Sequence, residues 1–365
     1  MIAGLSVAMG GGIVALIMYF VARRRKQRLI PANHCPIAKW DGAAVSLTFV
    51  IFVLSAHFVQ LLLVAVGFFG RIYGPNFPIE LGPDATPADH AAATIRHLWA
   101  AVFTFPFQLW SISAIAKWRG GPNPLALGTV APNIVSGYLT WLLVTPAAFS
   151  VFAIANIAHS SLTHRPPDRH PLTVLGDGAG NVEWALFVMQ TVIIAPMLEE
   201  LVFRGILLPW LCQKRAAVPE SPFVVIPRHR SPLILGLAVA VALLFHVDGV
   251  QKAIEDRDRG ELVAHLIPGA FFVSLIPIYL ILPRFRRLHR HLRVRSPQHS
   301  QAILASSALF AAFHASVWPS PVPLLVLAVG IGYLSVRTQS LIGPVVVHAM
   351  FNAVSASLLL MGAPA

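Results

Sequence analysis

Apolar runs of about 20 residues recur along the whole chain, and that length leaves very few folds open to it. Twenty residues of α-helix cross the ~30 Å hydrocarbon core of a bilayer. In lipid the backbone polar groups must bond within their own helix or within a closed barrel. Ten candidate helices fall near residues 2–21, 43–70, 98–117, 133–158, 183–212, 232–249, 262–283, 301–318, 322–338 and 341–361. A β-barrel is excluded, because its strands would alternate over about ten residues instead of running apolar for twenty. The expected fold class is an all-α, polytopic integral membrane bundle of about ten transmembrane helices. A composition of 56% hydrophobic and 12% charged residues, with a mean hydropathy of +0.71, belongs to the same class.

Loop charge orders these helices across the membrane. Residues 22–42 carry six basic side chains against Asp41, whereas 71–97 holds Glu80, Asp84 and Asp89 against Arg71 and Arg96. Lys117 and Arg119 follow the third span with no acid, and Arg165 and Arg169 then balance Asp168 and Asp177. Lys214, Arg215, Arg228 and Arg230 face only Glu220, and the stretch from Arg284 to Arg295 is again strongly basic. Basic loops therefore fall on one side, the cytoplasmic one. The arginines after residues 2–21 follow the apolar run, the reverse of a secretory signal, so a retained first span is expected and both termini are expected outside. The formal net charge of +12 resides in these loop clusters, which argues against nucleic acid as a partner. Cys35 and Cys212 both fall on the cytoplasmic side by this reading, and no disulfide or cysteine metal site is expected.

Against that background, Glu199, Glu200 and Arg204 stand inside the apolar run from Trp184 to Leu211. A charged residue near the bilayer centre costs about 2.5–3.5 kcal/mol on insertion scales, so such residues face a protected interior and serve chemistry or transport there. Glu200 and Arg204 are one helical turn apart and can neutralise each other on one face. Glu199, displaced by about 100°, is left free to act as a general base. The eighth span places Phe310 and His314 at i, i+4, and the tenth does the same with His348 and Asn352. At about 1.5 Å per residue these groups reach comparable depths, so they can converge on one cavity within the membrane.

With these residues the sequence resembles the CPBP intramembrane proteases, the family of type II CAAX prenyl endopeptidases and the bacterial Abi-type homologues. Its three motifs appear in order as Glu199-Glu200-x-x-x-Arg204, Phe310-x-x-x-His314 and His348-x-x-x-Asn352. Gly205, Ser306-Ser307 and the segment Tyr333 to Leu341 fit as well. The resemblance covers roughly 183–361, which implies an N-terminal set of helices over 1–182 and a catalytic domain over 183–361. About a hundred residues separate the first two motifs where family members commonly have about thirty, so an inserted segment of about 216–300 is expected. His246 competes for the second-motif histidine, but Ala242 stands where its aromatic partner should be, which favours His314.

The resemblance implies an endopeptidase that hydrolyses peptide bonds of membrane-associated substrates, prenylated or not, in a membrane that for a bacterial host is the plasma membrane. Glu199, assisted by His314, would activate a water. Glu200 would pair with Arg204, His348 and Asn352 would donate to the oxyanion, and Phe310 would shape the cavity. No cofactor is expected. The alternative is a metal held by Glu199, His314 and His348, which resemble catalytic zinc ligands although no His-Glu-x-x-His helix is present. Two other function classes remain open from sequence. One is a proton-coupled transporter, which uses the same residue types but calls for paired broken helices in matching halves. The other is a non-catalytic member acting in bacteriocin immunity or as a scaffold.

Overall fold

A computed structural model describes residues 40–79, 86–119, 129–167, 179–213, 230–285 and 297–360, with isolated positions elsewhere. Most of the first apolar run, Cys35 and most of the basic 284–295 segment lie outside the described residues. Every regular element among the described residues is a helix. We number them α1 (Gly42–Ala65), α2 (Phe68–Tyr73), α3 (Pro87–Trp118), α4 (Val130–Thr163), α5 (Asn181–Cys212), α6 (Arg230–Leu244), α7 (Val247–Glu255), α8 (Arg259–Ile281), α9 (Pro297–Ala312), α10 (Pro321–Thr338) and α11 (Ile342–Leu360).

Six of these are long and apolar enough to cross a membrane, and α6 with α7 makes a seventh if the pair is one bent span. The all-helical membrane class expected from the sequence therefore holds. The count among the described residues is six or seven, short of ten. The difference lies in the first run, in α9 with its 16 residues, and in α11, of which the apolar stretch Ile342–Leu358 falls just below the length counted.

Helix ends depart from the sequence expectation where local chemistry dictates. The helix expected over 98–117 begins at Pro87, because Thr86 and Asp89 form a reciprocal capping box with proline at the first helical position. The run expected over 43–70 breaks at Gly67, whose φ of 68° favours glycine and lets α2 turn away. The span expected over 301–318 stops at Ala312. Short turns follow, and the next helix starts at Pro321. The span expected over 232–249 bends by 43° between Leu244 and Val247.

Several polar side chains within the bundle bond to the backbone or to a neighbouring helix. Thr48, Thr104, Thr140 and Thr338 each donate to the carbonyl four residues earlier, between 2.5 and 2.9 Å. Gln108 on α3 reaches Phe52 O and Ser55 Oγ on α1, at 3.0 and 2.8 Å. Helix association in lipid rests on close packing by small residues. Gly137 on α4 meets backbone directly: a Cβ there would come within 2.8 Å of Gly343 O on α11. On α9 the fully buried Ala302, Ala305, Ala308, Ala311 and Ala312 pack among α5, α6 and α10. α5 thus runs through the centre of the bundle, with Leu201, Val202, Phe203, Ile206, Leu207 and Leu208 each at most 1% exposed.

Candidate active site

α5 is not a uniform α-helix. It is π-helical over Met189–Ile194 and again over Leu201–Leu207, and the glutamates sit at the end of the α-helical turn Ala195–Glu200 between them. A π-stretch shifts the register of the residues beyond it and frees backbone carbonyls, and such stretches are rare and frequently fall at functional sites. Two freed carbonyls find side-chain donors from distant segments. Trp40 Nε1 donates to Ile206 O at 2.9 Å, and Asn352 Nδ2 donates to Thr191 O at 2.9 Å.

Between the π-stretches Glu200 is fully buried. Its Oε1 accepts from Arg204 Nη1 at 2.9 Å and from His348 Nδ1 at 2.8 Å. Arg204 also donates to Ala328 O on α10 at 3.3 Å and lies over the Phe310 ring of α9, 4.7 Å from its centroid. One buried ion pair thereby connects α5, α9, α10 and α11. Its charges are paired and mostly hydrogen-bonded, which is the condition for tolerating them in a low-dielectric interior.

Glu199 faces the other way and keeps 17% of its side chain accessible. Its Oε2 stands 3.8 Å from His348 Nε2 and has no hydrogen-bond partner. Nδ1 of His348 donates to Glu200, and Glu199 faces the opposite nitrogen of the same imidazole. A separation of 3.8 Å is too long for a direct bond, yet a single water seated off the line can lie about 2.8 Å from both groups.

His314 takes a different position from the one its motif suggests. It lies in the turn beyond the end of α9, where its Nδ1 donates to Phe310 O at 3.0 Å. Its ring stacks obliquely on Phe310 at 5.0 Å, while His348 packs edge-on against the same phenylalanine at 5.6 Å. The imidazole against the carboxylates is thus that of His348, and Phe310 stands in contact with both rings. Asn352 is held by Thr191 O through one N–H, which leaves its second N–H for another acceptor.

Sequence reasoning passed over Gln190 and Thr191. Gln190 Oε1 and Thr191 Oγ1 are buried without a partner, one π-stretch away from the equally unpartnered Oε2 atoms of Glu199 and Glu200. The available signal was a Gln-Thr pair inside an otherwise apolar run. Among the described residues no three His, Cys, Asp or Glu side chains are arranged to hold a metal ion.

Fold and site together define a class: a helical membrane protein with a carboxylate–imidazole centre buried in its bundle. Residues 181–354, a little under half of the chain, match the family model described as type II CAAX prenyl endopeptidase Rce1-like. The resemblance carried by the three motifs therefore holds over the segment that contains all of them. No curated protein and no solved structure matches the chain.

Proposed function

We propose that the protein is an intramembrane endopeptidase in which Glu199 activates water to hydrolyse peptide bonds of membrane-associated substrates. The observation that carries this reading is the 3.8 Å gap between Glu199 Oε2 and His348 Nε2, with Glu200 bonded to the far nitrogen of the same ring. A water in that gap gives its proton to Glu199 as its oxygen attacks the scissile carbonyl carbon. The tetrahedral oxyanion is met by the second N–H of Asn352, a stabilisation commonly worth about 3–4 kcal/mol per donor. The carbon–nitrogen bond then breaks, and Glu199 returns the proton to the leaving amine. The water and both products account for every proton moved.

In this scheme Glu200 and Arg204 hold the framework, His348 orients the water, and His314 stands beside Phe310 as the second imidazole of the cavity wall. That division differs from the sequence expectation, in which His314 assisted Glu199, and it rests on the contacts of the two rings. The family description supports a CAAX-type substrate, a peptide with a lipidated cysteine near its C-terminus.

The test is cleavage of C-terminal peptides with and without farnesyl-cysteine by the wild-type protein in lipid nanodiscs, products read by mass spectrometry, with and without chelator. Chelator-insensitive cleavage confined to the farnesylated peptides supports the full reading. Cleavage of both sets alike removes the prenyl requirement, and loss with chelator restores the metal alternative.

A further inference from the structure

The segment between the first two motifs reaches the site through one histidine. At the 43° bend between α6 and α7 the ring of His246 turns inward and is only 7% exposed. Its Nε2 lies 3.0 Å from Ala315 O. A carbonyl oxygen can only accept, so Nε2 carries the proton and donates. In the neutral ring Nδ1 is then an acceptor, and it faces His265 Nδ1 of α8 at 3.3 Å. The other nitrogen of His265 stands 3.9 Å from Glu261 Oε1. Space for the His265 ring comes from Gly249 on α7, where an added Cβ would collide with that ring. α6, α7 and α8 therefore combine to aim one N–H at one carbonyl.

That carbonyl belongs to the residue after His314. The chain here has left α9 and proceeds by short turns, with His314 N–H on Ala311 O at 3.0 Å, Ala315 N–H on Ala312 O at 3.0 Å and Val317 N–H on His314 O at 3.2 Å. A run of such turns is less well determined than a helix. The bond from His246 adds a tertiary anchor one residue from the motif histidine.

We infer that His246 is a positioning residue: by donating to the Ala315 carbonyl it fixes the turn that presents His314, and the α6–α8 segment thereby sets the second-motif histidine. The inference deepens the peptidase reading and rests on it for the kinetic readout alone.

The experiment compares His246→Leu, His246→Gln and Gly249→Ala in nanodiscs. It reads kcat and KM for a cleaved peptide and the rate at which diethyl pyrocarbonate modifies His314, with the thermal midpoint as a check on folding. Losing the anchor lowers kcat roughly 10- to 100-fold with KM within about twofold, as expected for a displacement near 1 Å. It also raises the His314 modification rate several-fold. Glutamine, whose amide can make the same donation, recovers most of both quantities, and Gly249→Ala falls between. In a His314→Ala background His246→Leu adds no further loss of kcat.

Equal behaviour of the leucine and glutamine variants, or an unchanged His314 modification rate in His246→Leu, overturns the inference and makes His246 a packing residue. Absence of cleavage by the wild type refutes the peptidase reading, while the modification rates still decide the positioning role. Should the leucine variant fail to fold, His246→Gln and Gly249→Ala decide by the same two readouts.

Discussion

Glu200 and Arg204 expose no more than 1% of their side chains, so their charges cannot rely on water. Removing one partner of such a pair leaves the other charged and buried, at a cost on the order of 3–5 kcal/mol. Glu200→Gln is therefore expected to lower the thermal midpoint sharply, whereas the double change Glu200→Leu with Arg204→Met restores much of it. Differential scanning fluorimetry in detergent measures both. The double variant should not cleave peptide, because its leucine offers His348 Nδ1–H no acceptor. This pairing was legible in the sequence, since four residues of helix bring the two side chains together whatever surrounds them. The identity of the imidazole beside Glu199 was not legible. It depends on where α9 ends and on how α11 seats against α5. The π-stretches around the glutamates also escape a reading based on a 3.6-residue period, yet they put Thr191 O where Asn352 can reach it.

At the scale of elements, the contact of α4 with α11 controls where His348 and Asn352 stand. Gly137→Leu pushes a side chain into the Gly343 backbone, which has no flexible end to give way. The expected result is a 10- to 100-fold fall in kcat with the protein still folded, read by peptide cleavage beside a melting curve. A second junction, between the end of α4 and the start of α8, depends on pH. The Glu261 backbone N–H, and after it the charge of Arg165, holds the Asp258 carboxyl below the usual carboxylate range. A depressed folded pKa means that the stabilisation is present above the unfolded value, near 3.9, and fades as pH falls through the lower folded value. Amide exchange over residues 258–262 should accelerate below about pH 4 and stay level from there to neutrality, relative to a buried helix such as α9. The extents of α5 and α10 were legible from apolar run length. The bend at His246 was not, because no proline or glycine occupies positions 244–247 to announce it.

For the whole molecule, the threading expected from alternating loop charge puts Asp258 outside and Gln339 on the cytoplasmic face. A membrane-impermeant maleimide should label Asp258→Cys in intact cells and Gln339→Cys only after permeabilisation, in a background with Cys35 and Cys212 replaced by serine. A bundle threaded in this way brings α5, α9, α10 and α11 together around one buried ion pair and leaves Glu199 beside it as the accessible carboxylate. That arrangement is the basis for assigning hydrolysis to Glu199. The most direct measurement is cleavage of a farnesylated C-terminal peptide by purified wild type and by Glu199→Gln, in nanodiscs, at equal folded concentration. The account predicts a fall of at least about 1,000-fold in kcat for the variant with an unchanged melting temperature. Cleavage by Glu199→Gln within about tenfold of the wild type would contradict it.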